Sequence, residues 1–80
     1  MPATITAHQA AASGDPELHL FTFQIDGDGV SRSEQVTLRT ARVLARELGK
    51  RTALDALMRA IASAEPGDYD ALVGTCYADT

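Results

Sequence analysis

The sequence is short of most things that build a large core or a reactive site. It has one cysteine, no tryptophan, two phenylalanines and two tyrosines in 80 residues. A lone Cys76 forms no internal disulfide and no four-cysteine zinc site. That excludes a disulfide-stapled secreted scaffold and predicts a reducing, cytoplasmic setting. No run approaches the roughly 18 consecutive apolar residues of a membrane span. Met1–Gly14 lacks the basic start and long apolar run of a secretory signal. Apolar residues make up 45% of the chain, but 14 of them are alanine. Large core side chains are therefore few, and a chain of this length buries only about 60–65% of its unfolded surface. It is still too apolar for wholesale disorder. The expectation is one small domain over residues 1–80, with 1–16 as a loose edge strand or tail.

Catalytic and metal-binding signatures are missing as well. There is no G-x-S-x-G and no phosphate-cradling glycine loop. His8 and His19 lack the spacing of two histidines four apart on a helix. His19 reads as a core histidine and His8 as exposed. Cys76 reads as buried packing, since a nucleophilic thiolate needs a base beside it. Asp26-Gly27-Asp28-Gly29 invites a calcium-loop reading. With Asp28 and Gly29 at loop positions 5 and 6, however, position 8 is Ser31 and position 12 is Gln35, where an apolar residue and a bidentate acid belong. The segment therefore reads as a plain hairpin turn. No enzyme, no cofactor and no metal are expected.

What is present is a segregated charge pattern. The net charge is −4, yet residues 1–31 carry Asp15, Glu17, Asp26 and Asp28 with no Lys or Arg. All seven basic residues fall within 32–59, against Glu34, Glu47 and Asp55. Residues 60–80 are acidic again. An acidic chain with one basic middle segment suggests an electropositive contact face.

Hydrophobic periodicity places the elements. In Glu17–Ile25, Leu18 and Leu20 alternate with His19, Phe21, Phe23 and Ile25, which predicts a strand with its second face toward the core. Val30–Val36 is too polar for a central strand and reads as an edge strand returning from the DGDG turn. From Thr37 the period changes. Leu38, Ala41, Leu44, Ala45 and Leu48 share one helical arc, and Arg39, Arg42, Arg46 and Lys50 share another, with Val43 breaking the division. Thr37 is the expected N-cap and Gly49 the expected stop. A second helix follows. Thr52 and Asp55 form a capping box, Leu54, Leu57, Met58 and Ile61 form the apolar face, and Asp55 pairs with Arg59 on the opposite side. Tyr69, Leu72, Val73, Cys76 and Tyr77 match a helical template over about 69–77, although a closing strand also fits. The fold class is α+β: a small antiparallel β-hairpin or sheet packed on two to three short α-helices. The expected core is Leu20 or Phe21, Phe23, Ile25, Leu38, Leu44, Leu48, Leu54, Leu57, Met58, Ile61, Leu72, Val73 and Tyr77.

Residues 39–61, RTARVLARELGKRTALDALMRAI, resemble a helix-turn-helix DNA-binding motif in outline. Leu44–Gly49 would end its first helix and supply the turn glycine, and Thr52–Ile61 would be the recognition helix. Lys50 stands where that pattern has a buried apolar residue, and the outer face of the second helix offers only Thr52, Asp55, Arg59 and Ser63. A strand followed by two helices is also similar to a ribbon-helix-helix dimer, with Glu34–Leu38 as the strand. Either resemblance implies a dimeric DNA-binding regulator.

The small size, thin core and segregated charge favour a different class. That class is a small non-enzymatic interaction protein that binds and blocks or modulates a macromolecular partner, as phage-type inhibitors and accessory subunits do. The candidate contact residues are the basic set Arg39, Arg42, Arg46, Lys50 and Arg51, facing an acidic surface. Alternatively the acidic Asp26 and Asp28, with Asp15, would occupy a basic groove. The expected partner is a protein or nucleoprotein complex, with nucleic acid or a second copy as alternatives and no membrane. A structural or assembly subunit is the third class.

Overall fold

The computed structural model describes residues 2–12, 14–27, 29–47 and 52–78. The aromatic alternation in the first half does what its period dictates. Strand β2 (Leu20–Gly27) turns Phe21 and Phe23 to one face and buries them. Gly29, at φ +77°, takes the left-handed conformation that a tight hairpin asks of a glycine. The chain returns as β3 (Val30–Thr37), paired antiparallel along the full length of β2. As its polarity predicts, β3 is an edge strand. The sheet order is β3-β2-β1-β4, and every neighbouring pair is antiparallel.

The first residues form an inner strand rather than an edge strand or tail. β1 (Ala3–Gln9) lies between β2 and the two-residue β4 (Cys76–Tyr77). Ala3 and Ile5 are buried. Opposite Phe23 the register slips by one residue: Ile5 faces Phe23, and Ala7 already faces Thr22. This bulge turns His8 onto the same face as Phe21.

Helices cover one face of the sheet. α1 (Leu38–Glu47) continues directly from β3, and Thr37 caps it by accepting the Thr40 N–H at 3.2 Å. α2 (Ala53–Ser63) is capped by Thr52, whose hydroxyl accepts the Asp55 N–H at 3.1 Å. α2 packs on β1 and β4 and also against α1. That double cover buries Asp55 along with Ala53, Leu57, Met58 and Ile61. Asp55, expected on the solvent side, is 2% exposed and keeps its pairing with Arg59, Nε to Oδ1 at 3.3 Å.

The core holds Phe21, Phe23, Leu38, Leu57, Met58 and Ile61 as expected, and adds Ala3, Ile5, Val36, Ala41, Ala53 and Tyr69. Ile25, Leu44, Leu54, Leu72 and Tyr77 pack at its margin, Leu20 is half-buried, and Val73 is exposed. Leu48 and Gly49 lie outside the described residues.

Residues 66–77 do not form the third helix that their spacing favoured. Two short 3-10 turns, Pro66–Asp68 and Asp70–Leu72, lead into Gly74 at φ +92° and then β4. The Gly74 N–H donates to the Ile5 carbonyl at 2.7 Å, and the Ile5 N–H donates to the Thr75 carbonyl at 3.0 Å. These bonds to β1 satisfy backbone groups that a continued helix would have used internally. Cys76 is consequently exposed, not buried.

Candidate interaction surface

Capping by Thr37 fixes where α1 starts, and burial of Leu38 and Ala41 fixes its rotation. Arg39, Arg42 and Arg46 then emerge on the opposite, exposed side. Their i, i+3, i+7 spacing aligns them over about 10 Å of helix. Val43 projects among them and is 39% exposed. Arg42 Nη1 lies 3.6 Å from the Glu17 carboxylate, with both side chains about half exposed, so this contact is weak. Arg39 and Arg46 have no ion-pair partner among the described residues. The face is a row of three guanidinium groups around an apolar side chain. Lys50 and Arg51, expected to extend it, lie outside the described residues.

Asp26 is elsewhere. It stands near the hairpin tip, on the sheet face that the helices leave open, together with Thr22 and Gln24. The second apolar face suggested by Leu18 and Leu20 is in fact mostly polar. Asp26 Oδ1 accepts hydrogen bonds from the Ser31 hydroxyl at 2.7 Å and the Gln24 amide at 3.1 Å. These two bonds, Ser31 first, hold its carboxyl below the ordinary value of 3.8. A folded value below the unfolded one stabilises the fold above the ordinary value and loses that contribution as pH falls through the folded value. The Tm difference between the wild type and Asp26→Asn is therefore expected to shrink from about pH 4 downward and to be flat above about pH 5. A difference independent of pH would remove the carboxylate's role. Asp28 lies outside the described residues.

The bulge in β1 assembles one further constellation. His8 Nδ1 is 2.8 Å from Asp70 Oδ1, and His8 Nε2 is 2.8 Å from His19 Nδ1. The two imidazole planes are within 3° of parallel, with centroids 5.0 Å apart. With bonded nitrogens between centroids so far apart, the rings lie edge to edge in one plane rather than face to face. A carboxylate that accepts the Nδ1 proton leaves His8 Nε2 to accept the His19 Nδ1 proton. Tyr69, 2% exposed, packs on both rings and meets Phe21 edge-on at 5.4 Å. His8, expected exposed, is thus largely covered, and His19 is half-buried with a partner. No Ser, Thr or Cys side chain among the described residues hydrogen-bonds either ring, and no group of three ligating side chains there could hold a metal ion. The cluster ties the ends of β1 and β2 to the Asp70–Leu72 turn. Sequence reasoning missed it because only the slipped register turns His8 inward.

Comparison with family models, with curated proteins and with solved structures finds no match to this chain. No helix among the described residues is long and apolar enough to cross a membrane.

Proposed function

We propose that the protein is a non-enzymatic binding protein that docks the outer face of α1 on an acidic protein surface and blocks or modulates that partner. The observation that carries this reading is the exposed Val43 set among Arg39, Arg42 and Arg46. A nucleic-acid backbone rewards the cations alone. An apolar side chain surrounded by arginines matches the composition of a protein interface, where arginine is enriched and a desolvated anchor supplies affinity. A reducing, cytoplasmic compartment suits the lone exposed thiol of Cys76.

The test compares the wild-type chain with Arg39→Glu/Arg46→Glu and with Val43→Asp as baits in lysate of the native host. These positions are on the surface, so stability should change by no more than about 0.5 kcal/mol at each. One stoichiometric protein should be captured by the wild type, survive nuclease treatment and be lost from both variants. Equal capture by the wild type and the reversed variant would overturn the α1 face. Loss of capture on nuclease treatment, with steep salt dependence, would instead support the dimeric DNA-binding reading.

A further inference from the structure

The free edge of β3 carries a pattern that fits a second copy of itself. The Asp26 N–H donates to Pro2 O, toward β1, and the Leu38 N–H donates to His19 O, toward β2. Odd-numbered residues of β2 therefore bond to β3, and their register partners are Val30, Arg32, Glu34 and Val36. By the alternation of an antiparallel ladder, Ser31, Ser33 and Gln35 aim their backbone N–H and C=O groups away from the sheet. Every residue from Val30 to Gln35 is exposed. This is an unpaired edge, open to strand addition.

We propose that the protein forms a two-fold symmetric dimer through antiparallel pairing of β3 with β3 of a second copy, centred on Ser33. In that register Ser33 meets Ser33 of the second copy, and Ser31 meets Gln35 in both directions. All three are residues whose backbone groups point outward, so each pairing can exchange both of its bonds. Side chains settle the register. Arg32 and Glu34 lie on the helix side of β3, 3.6 Å apart, with 70% and 48% of their side chains exposed. Centring on Ser33 sets Arg32 opposite Glu34 of the second copy, and Glu34 opposite its Arg32. The four charges then alternate in sign. Moving the centre one residue either way sets arginine against arginine or glutamate against glutamate, which repel.

The same register accounts for an exposed apolar residue. Val30, 63% exposed, lines a shallow recess of about 240 Å³ with Ile25, Gly27 and Arg32, on the part of the helix-side face that the helices leave uncovered. In the dimer it comes against Val36 of the second copy, which is the core residue at the other end of β3. This pairing does not depend on what α1 binds.

Sedimentation equilibrium from micromolar to millimolar concentration reads the result directly. The wild type should approach twice the 8.5 kDa chain mass. Ser33→Pro removes an N–H that is free in the monomer, so it should stay folded by circular dichroism and become monomeric. Arg32→Glu and Glu34→Arg each place two like-charge contacts across the two-fold axis and should each raise Kd roughly tenfold or more. Mixed one to one, those two variants should recover a dimer, because each presents the charge the other lacks. A wild type that stays monomeric throughout the range would overturn the proposal. So would a dimer that Ser33→Pro leaves intact, or two charge variants that fail to associate when mixed.

Discussion

Replacing Ile5 by alanine is expected to cost about 2–5 kcal/mol, the range for truncating a branched aliphatic side chain in a packed interior. An 80-residue domain has only about 4–12 kcal/mol in total at typical stability per residue. A large unfolded fraction at room temperature is therefore within reach of this one change. The argument rests on position. Ile5 is 0% exposed, sits opposite Phe23 on the inner strand, and receives and donates the backbone bonds that bring Gly74 and Thr75 onto the sheet. A cavity there loosens the contact between β1 and α2, and no neighbouring large side chain is free to collapse into it. Thr6 is the control. It is exposed, and its hydroxyl reaches only the Thr22 carbonyl, at 3.3 Å. Thr6→Ala should stay within about 0.5 kcal/mol of wild type. Urea titrations of the two variants, followed by circular dichroism, separate these outcomes. Equal midpoints would mean that β1 adds little to the fold.

The contrast between Ile5 and the helices shows what the residues disclose on their own. Both helices announce themselves through a 3.6-residue period and a threonine cap, and both caps form as the spacing predicts. β2 is equally plain, because Phe21 and Phe23 leave no ambiguity about the buried face. β1 has no such signal. Thr4-Ile5-Thr6 contains one large apolar side chain, and its importance comes from lying between two other strands, which local composition does not encode. The C-terminal segment misleads for the opposite reason. Tyr69, Leu72, Val73, Cys76 and Tyr77 match a helix in spacing, but Gly74 at positive φ and the bonds to Ile5 divert the chain into β4. At the candidate surface, the alignment of Arg39, Arg42 and Arg46 follows from periodicity alone. The edge-to-edge pair of His8 and His19 does not, because one inserted residue in β1 reverses the face on which His8 stands.

Arg59→Met is expected to destabilise the fold by about 1–3 kcal/mol, although Arg59 itself is nearly half exposed. The cause lies in its partner. Asp55 is 2% exposed, and its Oδ1 has no hydrogen bond in the structure, only the Arg59 Nε at 3.3 Å. Methionine keeps much of the aliphatic bulk of arginine while removing the charge, which leaves a buried carboxylate without its counter-ion. The half-exposed guanidinium is screened by water, so the cost stays below that of breaking a fully buried pair. Adding Asp55→Asn should recover most of the loss, making the double variant more stable than Arg59→Met alone. That sign inversion distinguishes electrostatic compensation from lost packing, which a second substitution would only deepen. If Arg59→Met lies within about 0.5 kcal/mol of wild type, or the double variant is weaker than the single, the compensation argument fails. The same pairing bears on binding. Arg59, the one basic residue on the outer side of α2, is held by an acid of its own helix, whereas Arg39 and Arg46 on α1 have no such partner among the described residues. Reversing charge on α1 should therefore act on a partner, and removing it on α2 should act on the fold.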